Sequence, residues 1–270
     1  MKMKQQVRFG PSGIGGIKEA LKNLQFYKKQ GISAAEVEFT YGVYIKNNKD
    51  AETIGKEAKN LDIALSIHAP YYINLASEDK KTRESSKKRI LECCERGHYF
   101  GTREIPTPIV FHAAYYGKYS HEECYEIVKQ SIIEMQKVIK KNKWQVSLAP
   151  ETTGKASQFG SLNELLKLVK ETGCSLCVDF AHLEAREQKI DLKEIFDKLK
   201  CFKHVHAHFS GIEYTSKGER RHIVTPESKL KELLLHVKRY NLSITIINES
   251  PKPLEDSLKA LRIWKQISHR

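Results

Sequence analysis

"VDFAHLEAR", from Val178 to Arg186, ends an apolar strand on Asp179 and places His182 three residues later. A buried strand that finishes on a carboxylate needs a partner for the charge. Two readings are open. One is a polar loop that caps a helix. The other is a pair of metal ligands at the mouth of a barrel. A single Asp-x-x-His does not decide between them, so the ends of the other strands matter.

Seven more β-type runs accompany this one: "VRFG" (7–10), "AAEVEFT" (34–40), "IALSIHA" (63–69), "PIVFHAA" (108–114), "QVSLAPE" (145–151), "FKHVHAHFS" (202–210) and "SITIINE" (243–249). With "CSLCVDF" (174–180) they make eight. Helical stretches follow each in turn, near 16–30, 50–60, 81–100, 121–141, 161–172, 191–200, 226–240 and 254–267. Runs of Val, Ile, Leu and Phe without clean alternation suit a parallel sheet covered by helices. Eight β/α units in 270 residues predict one α/β domain over 1–270, a closed (β/α)8 TIM barrel. A doubly wound open sheet is the alternative fold. Helix-start signals include "SHEE" (120–123) and "TPES" (225–228).

Barrel enzymes place their chemistry at the C-terminal ends of the strands. Those ends read His68, His112, Glu151, Asp179 with His182, His208 and Glu249, and the loop after strand seven adds His222. Each alone reads as a structural histidine, a cap or an ion pair. Together, five imidazoles and three carboxylates converge on one mouth. Crowded carboxylates repel unless cations separate them, so the set predicts a multinuclear metal centre at the C-terminal face. Its ligand types suit Zn, Mn or Fe. His98, His121, His236 and His269 fall on predicted helices and read as surface or structural. His204 and His206 share a strand face with His208 and should lie deeper; His206 is the alternative ligand.

Lys and Arg total 46 against 33 Asp and Glu, a formal net charge of +13. The excess points to a polyanionic partner, nucleic acid first. A Lys-rich solvated surface is the bland reading. Six scattered cysteines, including Cys174 and Cys177 as C-x-x-C, read as reduced and mostly buried thiols. No apolar run approaches a membrane span, and "MKMKQQVRFG" lacks the apolar core of a signal peptide. The expected location is cytoplasmic or nucleoid-associated, without a membrane partner.

The segments "SIHAPYYINLAS" (66–77), "VFHAAYYG" (110–117), "PETTGKASQFG" (150–160), "VDFAH" (178–182), "HFSG" (208–211), "GERRH" (218–222) and "NES" (248–250) resemble endonuclease IV. That family is the metal-dependent apurinic/apyrimidinic endonucleases of the xylose-isomerase-like barrel superfamily. The resemblance runs from about Val7 to Trp264. It implies two or three Zn2+ ions, with Mn2+ or Fe as alternatives. His68 and His112 would hold one metal, with Glu151 bridging to a second. Asp179, His208 and Glu249 would complete the second, and His182 and His222 would hold the third. Two departures stand out. The family has an Asp two residues before the match to His222, where this chain has Arg220; Glu219 is adjacent but out of register. The family usually has Pro-Gly after the histidine of "HAAYYG".

The resemblance also implies hydrolysis of the phosphodiester 5′ to an abasic site in double-stranded DNA, leaving a 3′-hydroxyl and a 5′-deoxyribose phosphate, with Glu151 as the catalytic carboxylate and the protein acting as a monomer. Tyr71 matches the position from which the family enters the duplex. Tyr41 and Tyr44 are candidates for filling the gap, and Arg220 and Arg221, with Lys46, Lys155 and Lys217, for meeting phosphates. Two other classes compete. A sugar isomerase or epimerase would use one metal on Glu151, Asp179, His208 and Glu249, with Glu38 as its proton-shuttling carboxylate. A non-catalytic DNA-binding barrel would have lost ligands.

Overall fold

Strand segments such as ITIIN (Ile244–Asn248) and VHAH (Val205–His208) are buried at every position. That pattern fits strands with a packed interior on one side and helices on the other. In the computed structural model, which describes residues 5–268, the elements run β1 (Val7–Pro11), α1 (Ile17–Lys29), β2 (Ala34–Glu38), α2 (Asn48–Asn60), β3 (Ala64–His68), α3 (Lys80–Gly97), β4 (Thr107–Phe111), β5 (Ala114–Tyr115) and α4 (His121–Asn142). They continue as β6 (Val146–Pro150), β7 (Gln158–Phe159), α5 (Leu162–Thr172), β8 (Cys177–Asp179), α6 (Phe180–Glu187), α7 (Leu192–Leu199), β9 (Val205–His208), β10 (Gly211–Thr215), β11 (Gly218–Ile223), α8 (Glu227–Arg239), β12 (Ile244–Asn248) and α9 (Pro253–Ser268).

Two parallel sheets, β1-β12-β9-β8 and β2-β3-β4-β6, form the wall. Parallel bridges Ser12–Glu36 and Glu151–Cys177 join them at both seams. The eight strands therefore close into the expected TIM barrel. Register brings the strand ends level: Glu38 pairs with His68, and Asp179 with His208. Phe9, Phe39, Phe111, Phe159, Phe180 and Phe196 are among the fully buried side chains, each contributing about 1.5–3 kcal/mol by burial. Among the described residues no helix is long and apolar enough to cross a membrane.

Above the C-terminal face lie two additions that the β/α alternation does not show. β5 and β7 pair antiparallel, and β10 and β11 form a hairpin. A short helix, α6, follows Asp179 at once, and its Ala181 and Ala185 pack on Ile212 of the hairpin. Of the two helix starts, Ser120 and Glu123 form a complete capping box. The "TPES" expectation is corrected. Pro226 is the N-cap residue of α8 and makes no side-chain cap. Thr225 instead donates its N–H to Asp256 (2.7 Å) and accepts from Asn248 Nδ2 (2.9 Å), which ties the end of β12 to α9. All six cysteines are free, and only Cys201 is exposed.

Candidate metal centre

The capping reading of the opening stretch holds at Asp179, and the same carboxylate keeps an oxygen free for the other. Its carboxylate Oδ1 caps α6 by accepting from the His182 N–H at 2.7 Å. Its other oxygen, Oδ2, is buried, has no hydrogen bond and lies 3.4 Å from His182 Nδ1. The cap fixes the first turn of α6 and so fixes where the imidazole of His182 stands.

Glu151 sits at the centre of the mouth, fully buried in its side chain. Its Oε2 is 3.1 Å from His68 Nε2 and 3.1 Å from His112 Nε2. Its Oε1 is 3.2 Å from His182 Nδ1 and 3.1 Å from His208 Nδ1. Three groups of donors, each with its ligand atoms within 4.8 Å of one another, overlap here: His68, His112 and Glu151; Glu151, Asp179, His208 and Glu249; and Asp179, His182 and His222. Glu151 belongs to the first two and Asp179 to the last two.

The histidines are aimed by their second nitrogens. A carbonyl oxygen can only accept, so the contacts from His68 Nδ1 to Ala69 O (2.7 Å) and from His182 Nδ1 to Thr152 O (3.0 Å) place a proton on each Nδ1. Nε2 is then the free donor in the neutral ring. His222 Nδ1 rests on Ser210 Oγ, leaving Nε2 toward the mouth. His208 is reversed: Nδ1 faces Glu151 and Glu249, while Nε2 lies 2.9 Å from Glu36 Oε1, off the axis of a hydrogen bond. His112 Nε2, His182 Nε2 and Asp179 Oδ2 are buried and unbonded. Buried polar atoms are nearly always paired. Unpaired nitrogen and oxygen atoms gathered at one mouth fit divalent cations, and the mixture of imidazole and carboxylate fits zinc.

Electrostatics agree with that fit. Burial acts to raise the Glu151 carboxyl, yet His112 and His208 hold it well below its usual range. Asp179 moves up, through burial first and then Glu151 and Glu249, against the pull of His182. Burial opposes protonation of His68, but Glu151 and Glu38 push the ring up to about 10. A cation held there would compete with protons for the same imidazoles.

The remaining expected residues fall as follows. Tyr71 is about half exposed and stands edge-on to His68, with ring centroids 5.5 Å apart. Tyr41 is 90% exposed at the rim. Tyr44 is half-buried, packed edge-on against Phe39, and donates to Gly15 O at 3.2 Å. Arg220 and Arg221 both bind Glu213 on the outer face of the hairpin, at 3.1 and 2.7 Å. Lys46, Lys155 and Lys217 are exposed. His206 lies one layer below the mouth against Glu36 (3.2 Å), and His204 bonds Thr245. His98 accepts from the Gln145 N–H, His121 stacks on Tyr116, and His236 lies on α8. His269 is outside the described residues.

Two residues of the candidate site escaped sequence reading, and a third, Glu219, was read as out of register. Glu36 is fully buried, accepts from Ser66 Oγ (2.6 Å) and underlies both His206 and His208. The Glu-x-Glu of β2 was its only signal. Arg186, the last residue of the opening stretch, clamps the loop after Glu151 through Thr153 Oγ1, Lys155 O and Gln158 O. Its signal was its place four residues after His182, on the same helix face. Glu219 stands 3.5 Å from His182 Nε2.

The model of the xylose isomerase-like TIM barrel family matches residues 24–267. The chain belongs to that family. An uncharacterized protein of Methanocaldococcus jannaschii is 33% identical over 96% of this chain and 97% of its own. A probable endonuclease 4 of Aster yellows witches'-broom phytoplasma is 33% identical over 53% of this chain and 51% of its own. Among solved structures, that of SacUVDE superposes with a TM-score of 0.75 at 15% identity, covering 98% of this chain and 99% of that one. A D-psicose 3-epimerase superposes at 0.69 with 16% identity, covering 96% and 99%. At those identities the structures speak for the fold alone.

Proposed function

We propose that the protein is a metal-dependent phosphodiester hydrolase of DNA repair that cuts 5′ to abasic sites, leaving a 3′-hydroxyl and a 5′-deoxyribose phosphate. The observation that carries this reading is the overlap of three donor groups through Glu151 and Asp179. A one-metal sugar enzyme needs the middle group alone, and the other two would then be idle imidazoles facing one another. The endonuclease 4 relatives support the same class.

Bound at these groups, divalent zinc would supply an acidified water as nucleophile and offset charge on the phosphoryl oxygens. The chain supplies position. Thr152 O and Ala69 O set the rings of His182 and His68. Glu151 spans the space between the first and second groups, where its carboxylate can orient the attacking water. Arg186 holds the Glu151 loop rigid. A flipped abasic sugar needs no base-pair energy to leave the stack, and Tyr71 stands beside the centre to fill part of the space.

The test is a labelled duplex with one abasic analogue. Metal-dependent cutting on the 5′ side of the lesion is expected; a folded, metal-loaded protein that leaves the duplex whole would overturn the reading. Tyr71→Ala should weaken binding to the abasic duplex roughly 5- to 150-fold, the worth of one base–aromatic stack, with less loss on intact duplex. Equal losses on both, by fluorescence anisotropy, would reduce Tyr71 to packing. Raising salt from 50 to 200 mM should weaken DNA binding steeply, given the +13 net charge. A flat response would contradict a role for that charge.

One observation favours a second reading. Glu38, at the end of β2, lies with Glu36 and Glu249 within 4.8 Å. Burial, with Glu36 and Glu249, pushes its carboxyl up to about 8 against His68 and His208. A proton-carrying carboxyl beside one cation suits a ketose epimerase. Epimerisation of a ketohexose without DNA incision would select it.

A further inference from the structure

Glu219 precedes His222 by three residues, and in an unbroken strand such residues point to opposite faces. β11 is not unbroken. Glu213 of β10 pairs with Arg221, and Tyr214 pairs with Glu219, so Arg220 has no partner across the hairpin. That is a β-bulge. One extra residue shifts the phase of the strand by one and returns Glu219 to the face that carries His222. The arginines report the same shift: Arg220 and Arg221, consecutive in sequence, both turn outward to the single carboxylate of Glu213.

The inner face is shaped to receive Glu219. Its Oε2 is 3.5 Å from His182 Nε2 and its Oε1 is 4.0 Å from His222 Nε2. His182 Nε2 is buried and unbonded, and its ring is fixed with the proton on Nδ1. Ligand atoms about 2.1 Å from a tetrahedral zinc stand about 3.4 Å apart, close to the separation between Glu219 and His182. The Glu219 N–H donates to Gly154 O at 3.0 Å. A Cβ at Gly154 would fall 2.7 Å from Glu219 Cβ and 2.8 Å from its Oε2. Gly218, at φ +99°, has room for no side chain, because a Cβ there would lie 2.3 Å from Gly154 O. Both glycines give Glu219 its place above His182.

The geometry points to Glu219 as a carboxylate ligand of the third cation, held with His182 and His222 and brought into register by the bulge at Arg220. The inference rests on the multinuclear reading of the centre and names a ligand that the spacing of the motif conceals. Arg220 has two parts to play in it: it supplies the extra residue, and its pairing with Glu213 pins that residue outward.

The experiment is a count of zinc per folded chain in chelator-buffered zinc, beside thermal melts. Zinc is counted on the parent, on Glu219→Gln and on a variant lacking Arg220. The parent should hold three. Glu219→Gln should hold two at a free zinc level that saturates the parent, with folding kept. Removing Arg220 straightens the ladder and leaves Glu219 two residues before His222, on the same face, so three should remain. Three zincs on Glu219→Gln would overturn the assignment, as would a parent that never holds more than two. Two zincs on a folded variant lacking Arg220 would overturn the register argument; should that variant not fold, the count on Glu219→Gln decides alone. DNA takes no part in the count. Three zincs without incision would therefore sink the proposed repair activity and leave the ligand standing.

Discussion

Glu151→Gln is expected to slow incision by about 10³-fold or more while the barrel stays folded. Glu151 is the one side chain shared by the first two donor groups, and its two oxygens meet four imidazoles within 3.1–3.2 Å. Gln keeps the shape and one oxygen. It replaces the other with an NH2 group, which offers no lone pair to a cation and cannot bridge two of them. Charge stabilisation by a catalytic metal is worth several kcal/mol, and each 1.36 kcal/mol is tenfold in rate. Loss of a ligand shared by two cations would therefore account for three orders of magnitude. Single-turnover incision at saturating zinc, beside circular dichroism, checks it. Near-parental turnover would remove Glu151 from the chemistry.

The strand ends were legible because two periodicities coincide. A parallel barrel strand reads as a short apolar run, and the first polar residue after it marks the mouth. His68, His112, Glu151, Asp179, His208 and Glu249 all fall there, and the structure gathers them. What was not legible depends on partners far away in sequence. Glu36 looks like an outward charge on β2 until Ser66 and His206, 30 and 170 residues away, close around it. The phase of Glu219 depends on how β11 pairs with β10, since a bulge is a property of two strands and not of one. Tyr44 could have faced solvent as well as core; Phe39 across the turn decided it. The helix after Asp179 has only eight residues, too few for a hydrophobic period to stand out from a loop. The pattern of strands thus announced where chemistry is, and long-range pairing decided which neighbouring carboxylates join it.

Stripping the metal is expected to abolish incision and lower the melting temperature, by an amount that grows with pH. Ligand that binds only the folded state stabilises it by about 4 kcal/mol at roughly 1,000 times its Kd. For a chain of this size that is on the order of 10 °C. The pH dependence follows from the groups at the mouth. Burial opposes the charged form of His68, but Glu151, Glu38 and Glu36 outweigh it and carry the ring from its ordinary 6.5 up to about 10. A folded-state value above the unfolded one gives stability that is complete below about pH 6.5 and lost as pH rises through 10. His182 and His208 move in the same direction. Glu38, raised from 4.5 to about 8, stabilises the fold less as pH climbs between those values. The metal-free protein therefore weakens between pH 6.5 and 9, as protons that offset the carboxylates leave. In the loaded protein cations replace those protons, and their affinity rises as the imidazoles are freed. Melts of stripped and zinc-reloaded protein at pH 6.5 and 9 measure the two gaps. A gap that is equal or smaller at pH 9 would mean that zinc and protons are not exchanging at His68, His182 and His208.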